Sequence, residues 1–400
     1  MATWAEEQPA TVTAVDASPA DAVDGSAADY ISASLLVIEP SYEVYSLVGH
    51  CALRLECPSK QMDYCFTFET STDSRGLLRF IMGTAKGGFM ASKTSDYLQA
   101  YSEAGRGVTA YPLNLTPQEE LLLWQTADAE IARGFCHPYG YMHTQCTSMV
   151  VSLLSRALHG DIVYHESAEA NAATFRDVML TAADRYPWST FFWQFIMGPE
   201  GDDTTPLTDK LSPQTLPGAW QRATIGGATS ERHIVDGPAQ PLGLSKNASE
   251  PCNDVTLGSV THYPTPLTVF TILFIIIVAI TLGQYKLGWR LLPRITDAML
   301  LTAHTLTSLF LGWLVLFSRQ EGTSWNWYLI VFNLLPLVLW LFLPAWRMQI
   351  LAGTLALVTL QLLLTPLIPQ LDLPHGMATA CLAPRLALPL LGRCQHVKRQ

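Results

Sequence analysis

The cysteine at position 146 is the residue whose type and position best suit it for chemistry. Apolar residues recur at helical spacing after Cys146, so the run from Cys146 to Leu158 is predicted to be a helix. Unpaired backbone N–H groups and the helix dipole at a helix N-terminus favour a thiolate over a thiol. Cys146 is therefore a candidate nucleophile.

A histidine early in the chain is the natural base for this thiol. His50 lies in the run from Gly49 to Leu55, which reads as a strand and follows a compact, turn-like segment. A neighbouring base activates a nucleophilic cysteine. The chain holds ten histidines and eight cysteines, so the residue types alone leave a purely structural role open for both.

The elements that would position these two residues form an α+β pattern. Strands are predicted at Ser34 to Glu39, Gly49 to Leu55 and Asp63 to Glu69. A helix is predicted at Ser92 to Ala104. Another should begin after an N-cap at Thr116, because proline and acidic residues fill its first turn.

Apolar stretches of membrane-spanning length dominate the last third of the chain. The four clearest are Leu267 to Gly283, Ala298 to Phe317, Trp327 to Leu343 and Gln349 to Leu367. A fifth, Met377 to Leu391, is short and interrupted by prolines, and we interpret it as a further span. The sequence thus predicts a transmembrane bundle of four to five helices.

Charge patterning orients this bundle. Basic residues follow the first and third stretches, at Lys286, Arg290, Arg294 and Arg347, and they mark the cytoplasmic side. The N-terminal domain then faces outward. A net charge of -10 and the lack of a basic stripe in the polar part exclude nucleic acid as a partner.

Composition divides the chain into four parts. Residues 1–30 contain no apolar stretch of the signal-peptide type and are predicted to be a flexible leader. Residues 31–245 form the predicted extracytoplasmic catalytic domain. Residues 246–265 are a predicted linker, and residues 266–400 form the predicted transmembrane domain.

Two sequence blocks resemble the Lnb-type family of bacterial envelope proteins. SYEVYSLVGHCALR, from Ser41 to Arg54, resembles the family's YSxxGHxAxR signature. YGYMHTQCT, from Tyr139 to Thr147, resembles its YxFxxxNCxT block. Weaker similarities are LNLT at residues 113–116, the pairing of Pro187-Trp188 with Gly198 and Asp202, and NLLP at residues 333–336. The resemblance extends from about Tyr30 to the C-terminus.

The resemblance implies a permuted, NlpC-type papain-like domain, in which the histidine strand precedes the cysteine helix. It also implies a lipoprotein N-acyltransferase. The partners would be a phospholipid acyl donor, a diacylated lipoprotein acceptor and membrane lipids. The acyl chain would pass through a thioester on Cys146 to the α-amine of the lipoprotein's N-terminal cysteine. The enzyme would be a multi-pass protein of the bacterial inner membrane, with its catalytic domain in the periplasm.

The third member of the catalytic triad is less clearly marked. A polar group should orient the histidine ring, and Glu69 is our first choice, with Thr67 and Glu56 behind it. The strand around Thr67 replaces a block that usually carries asparagine in the family. Gln145 likewise stands where asparagine commonly precedes the cysteine.

Three further residues are candidates for binding substrate or stabilising an oxyanion. Backbone N–H groups at the start of the Cys146 helix should form the oxyanion hole, with the Tyr45 hydroxyl as a possible assistant. Tyr139 and Asp202 are candidate substrate-binding residues.

Two other functions remain open from the sequence. One is a papain-like cysteine peptidase or amidase of the cell envelope that uses the same His50 and Cys146. The other is a membrane scaffold with an inactive papain-like domain. An acyl site should be apolar and open to the bilayer, whereas a peptide cleft should be polar and open to water. No carboxylate completes a zinc site with His137 and His143, so no metal and no cofactor are expected.

Overall fold

A seven-stranded antiparallel sheet precedes the membrane helices in the part of the chain that the structure describes. This computed structural model describes residues 30–41, 46–71, 76–165, 173–184, 186–203, 211–226, 232–243 and 263–397. The predicted leader and linker lie almost entirely outside these ranges, and Tyr45 lies outside them as well.

The described strands of the N-terminal domain form one large sheet and one short antiparallel pair. Their bounds are β1 Ser32–Ile38, β2 His50–Cys57, β3 Met62–Thr70, β4 Lys86–Lys93, β5 Val108–Pro112, β6 His137–Pro138, β7 Ile162–Val163, β8 Thr224–Ile225 and β9 Gln240–Gly243. The large sheet has the order β6-β4-β3-β2-β1-β5-β9, and β7 pairs with β8. The three strands predicted from the sequence are confirmed as β1, β2 and β3.

Helices cover both faces of the sheet. Those of the N-terminal domain are α1 Leu77–Ile81, α2 Thr94–Glu103, α3 Pro117–Arg133, α4 Cys146–Ala157, α5 Phe175–Ala183, α6 Pro187–Ile196 and α7 Leu216–Arg222. Apolar residues of β2 and β3 pack with α3 and α4 on one face, and α2 covers the other face. The α+β architecture predicted from the sequence is confirmed. So is the N-cap at Thr116, whose hydroxyl accepts from the Glu119 N–H.

The C-terminal part is helical. Its helices are α8 Pro266–Leu287, α9 Leu291–Phe317, α10 Leu335–Phe342, α11 Arg347–Leu364, α12 Leu373–Ala380 and α13 Ala383–Val397. Among the described residues, α8, α9 and α11 are long and apolar enough to cross a membrane. They correspond to the first, second and fourth predicted stretches.

The third predicted stretch, Trp327 to Leu343, is not one continuous helix. A 3-10 turn at Trp327–Ile330 gives way to a break before α10. The Asn333 amide donates to two carbonyls of that turn and its oxygen accepts from the Leu335 N–H, so it replaces the helical bonding pattern. Pro336 has no backbone N–H, so it cannot donate the helical hydrogen bond to a carbonyl in the preceding turn. The fifth stretch is also divided, into α12 and α13.

Candidate active site

Cys146 occupies the first position of α4. Gln145 is the N-cap, and its side-chain oxygen accepts from the Thr147 N–H at 3.1 Å. The Ser148 hydroxyl accepts from the Gln145 N–H at 3.0 Å, which completes a capping box. The cap fixes the start of the helix, so the thiol lies where the helix dipole is most positive. Gln145 thus caps the helix directly before Cys146.

His50 begins β2 directly after a tight turn. The Gly49 N–H donates to the Ser46 carbonyl, and Gly49 has a φ of 82°, which favours glycine. A Cβ at this position would also lie 2.7 Å from the Ile38 carbonyl oxygen. The turn therefore requires glycine, and it delivers the His50 ring to the end of the strand beside Cys146.

The cysteine and histidine form an interacting pair. A hydrogen bond from the Cys51 thiol and the positive charge of His50 hold the pKa of Cys146 well below its ordinary value, although burial opposes this. Burial acts to lower the pKa of His50, but its charge interaction and hydrogen bond with Cys146 raise it above the ordinary value. These opposite shifts favour a thiolate beside an imidazolium.

The Thr67 hydroxyl holds the outer side of the His50 ring. Its oxygen lies 2.6 Å from His50 Nε2, and the side chain is buried. Thr67 pairs with Ala52 across the sheet, so it lies diagonally opposite His50 on the same face. Because Nε2 is engaged in this way, Nδ1 is the ring nitrogen left for proton exchange.

The pair lies in a cleft with mainly apolar walls. The cavity in this cleft has a volume of about 70 Å³. Its lining residues besides the catalytic pair include Val48, Phe80, Tyr139, Tyr141, Phe175, Val178, Met179, Trp193 and Leu211. Several of these belong to a buried cluster that continues into the membrane part through Leu311, Leu314 and Tyr328. Among the described residues, no His, Cys, Asp and Glu side chains cluster in a way that would hold a metal ion.

Comparison with known families assigns this architecture. The family model of the Lnb N-terminal periplasmic domain matches residues 21–180, and that of the Lnb transmembrane domain matches residues 259–391. The chain belongs to the Lnb-type family. It is a membrane-associated protein of the lipoprotein-processing type with a periplasmic domain. Neither the curated proteins nor the solved structures contain a match.

Three residues were predicted as candidates for the third triad member of this Lnb-type site, and the structure places them differently around His50. Glu69 lies two residues beyond Thr67 on β3 and influences His50 through its charge, but Thr67 is the residue in contact with the ring. Glu56 pairs with Arg54 at 2.9 Å, far along the strand. Thr67, ranked second from the sequence, is therefore the residue that the structure brings to His50.

The other predicted binding residues have separate outcomes. Tyr139 lines the cleft, and its ring stacks on Phe68 with 5.7 Å between centroids. Asp202 does not line the cleft. Its carboxylate instead accepts from the buried Arg176 at 2.5 Å, which in turn donates to the Gly198 carbonyl. The structure thus places Asp202 in a partly buried ion pair with Arg176, whose guanidinium contacts both of its oxygens.

Sequence reasoning missed two neighbours of the site. The Cys51 thiol lies beneath Cys146, and the two thiols share the Thr147 hydroxyl at 3.8 and 3.9 Å. Strand alternation carried this signal, because Cys51 shares a sheet face with Leu53 and Leu55, and that apolar face packs on α4. The second neighbour, Glu321, contacts the loop before Cys146 from the membrane part. No local pattern in the sequence indicates that contact.

Proposed function

We propose that this chain is a phospholipid-dependent lipoprotein N-acyltransferase of the bacterial inner membrane. The observation that supports it most is the activated Cys146 and His50 pair in an apolar cleft whose walls join the core of the membrane part. An apolar cleft suits a fatty acyl chain. Both substrates of the reaction are lipids, which gives the membrane anchor a chemical purpose.

The first half-reaction loads the enzyme. The Cys146 thiolate attacks the carbonyl carbon of a phospholipid ester, and a carbon–sulfur bond forms. The carbon–oxygen bond then breaks, and His50 gives its Nδ1 proton to the leaving lysophospholipid oxygen. The Cys146 N–H, which the helix leaves without an intrahelical acceptor, would stabilise the oxyanion. The product is a thioester on Cys146.

The second half-reaction unloads it. The α-amine of the lipoprotein's N-terminal S-diacylglyceryl cysteine attacks the thioester carbonyl and forms an amide bond. The carbon–sulfur bond breaks and regenerates the thiolate, while His50 takes a proton from the amine. Apolar walls keep water away from the thioester and so limit hydrolysis.

The contacts between the two parts support a five-crossing topology. The segment after α9 and the segment after α11 both contact the N-terminal domain, through Ser318 to Ile81 and Gln370 to Gln194. Segments separated by two crossings lie on the same side of a membrane. Both are then periplasmic, with the basic segments after α8 and α10 on the cytoplasmic side. The broken third and fifth stretches would each cross once.

Intact mass spectrometry after incubation with phospholipid tests the proposal. Wild type should gain the mass of one acyl chain, and hydroxylamine should remove it. Cys146→Ser and His50→Ala should gain no hydroxylamine-sensitive acyl mass. A wild type that acquires no adduct, and cleaves envelope peptides instead, would favour the papain-like peptidase or amidase and overturn acyl transfer.

A further inference from the structure

The segment between α9 and the third apolar stretch forms several hydrogen bonds with the N-terminal domain. We define the clasp as residues 318–326. The Arg319 N–H donates to the Met82 carbonyl at 2.9 Å, and the Gly198 N–H donates to the Gly322 carbonyl at 2.7 Å. The Glu200 carboxylate accepts from the Gly322 N–H at 2.7 Å and also from the Ser324 hydroxyl. The clasp is thus bonded to the catalytic domain in both directions.

One clasp side chain reaches the loop that leads into Cys146. A single oxygen of Glu321 accepts from the Met142 N–H at 3.1 Å and from the His143 N–H at 2.7 Å. Its other oxygen accepts from the Thr144 hydroxyl at 3.2 Å. The loop closes around this carboxylate, since the Gly140 N–H donates to the Thr144 carbonyl at 3.1 Å. Successive N–H groups that converge on one anion form a nest.

The fit of this nest is close on both sides. A Cβ on Gly140 would lie 2.5 Å from a Glu321 carboxylate oxygen. A Cβ on Gly322 would lie 2.7 Å from the Tyr141 hydroxyl oxygen. Glycine therefore allows the loop and the clasp to approach, and the carboxylate supplies the acceptor that keeps the loop in this shape.

We propose that Glu321 is a positioning residue: it fixes loop 140–144 from the membrane side and so sets the place of the Cys146 thiol relative to His50. The inference rests on the proposed function for its effect on turnover. Gln145 and Cys146 follow the nest without an intervening residue, so a change in the loop moves the helix start directly. The catalytic domain is then fully competent only when the membrane part is docked on it.

The test uses the full-length protein in lipid nanodiscs, as wild type, Glu321→Ala and Glu321→Gln. We expect Glu321→Ala to slow thioester formation about 10- to 100-fold with an unchanged KM for phospholipid, because small misplacements of a reacting group cost that much. The pH midpoint of Cys146 alkylation by iodoacetamide, read by peptide mass spectrometry, should move upward. Glu321→Gln should lie between, because its amide oxygen still accepts hydrogen bonds.

Two further variants separate positioning from folding. Glu103→Gln changes an exposed glutamate of α2 and should leave the alkylation profile unchanged. Thr144→Val removes one donor to Glu321 and should shift alkylation in the same direction, with little further loss when combined with Glu321→Gln. This pair carries the test if Glu321→Ala fails to fold.

The outcomes are distinct. A wild-type alkylation profile in Glu321→Gln and Thr144→Val would overturn the inference, and so would a lower melting temperature with no change in that profile. If the variants shift the alkylation profile but wild type forms no thioester, Glu321 remains the positioning residue and the acyl-transfer proposal is overturned instead.

Discussion

Removal of the Thr67 hydroxyl should weaken catalysis without removing any group that touches substrate. Thr67→Val keeps the shape of the side chain and deletes only the oxygen that lies 2.6 Å from His50 Nε2. Thr67 is 1% exposed, so water has little access to replace the lost partner. The His50 ring would lose its fixed orientation toward Cys146, and its Nε2–H would be left unsatisfied.

The magnitude follows from the charge on the ring. A hydrogen bond to a charged group contributes about 1.5–3 kcal/mol, and about 1.4 kcal/mol corresponds to tenfold in rate. Because the raised pKa of His50 favours imidazolium, Thr67→Val should slow thioester formation about 10- to 100-fold. Thr67→Ser retains a hydroxyl and should recover most of the rate.

Single-turnover thioester formation, followed by quenched mass spectrometry, measures this effect. Thr126→Val is the control, because it makes the same replacement at a partly buried hydroxyl away from the site, where the hydroxyl donates to the Leu122 carbonyl. Glu69→Gln removes a charge near His50 without removing a contact, and it should cost less than about fivefold. A wild-type rate in Thr67→Val, or a larger loss in Glu69→Gln than in Thr67→Val, would refute the assignment of Thr67.

Two other predictions concern neighbours of the site. Cys51→Ala removes the hydrogen bond that most lowers the pKa of Cys146, so that pKa should rise and the acidic limb of Cys146 alkylation should move to higher pH; an unmoved limb would contradict this. Asp202→Ala breaks a partly buried ion pair with Arg176, which keeps its bonds to Gln194 and Gly198, and should cost about 1.5–3 kcal/mol of unfolding free energy, seen as a lower melting temperature. Its alkylation profile and its KM for phospholipid should match wild type, since a raised KM would restore Asp202 to a substrate-binding role.

Helix and strand positions were predictable where an N-cap motif or an alternating apolar pattern marks them. The sequence Thr-Pro-Gln-Glu at 116–119 contains every part of an N-cap, and α3 begins at Pro117 as expected. Alternating side chains predicted β3 to within a residue at each end. The prediction of one continuous helix over the third apolar stretch was wrong. Hydropathy gives no sign that the Asn333 side chain forms hydrogen bonds with the nearby backbone and interrupts the helix.

The catalytic pair was predictable, but its surroundings were not. A cysteine at a helix start and a histidine on a strand are recognisable one at a time. Thr67 and Glu69 lie on the same face of β3, so strand alternation cannot choose between them, and only the three-dimensional contact of Thr67 with His50 Nε2 at 2.6 Å does. Glu321 lies 178 positions from His143, and no periodic pattern links residues so distant.

The buried cluster shared by the two parts explains why they must act together. Met142 belongs to the nest around Glu321, and it is buried with Trp193 and with Leu311 and Leu314 of α9. Separation of the parts would expose these apolar side chains and would also leave the N–H groups of loop 140–144 without their acceptor. Packing and hydrogen bonding therefore converge on the same loop, and that loop ends at Cys146, the proposed nucleophile. The membrane part thus helps to shape the candidate site as well as carrying the apolar helices.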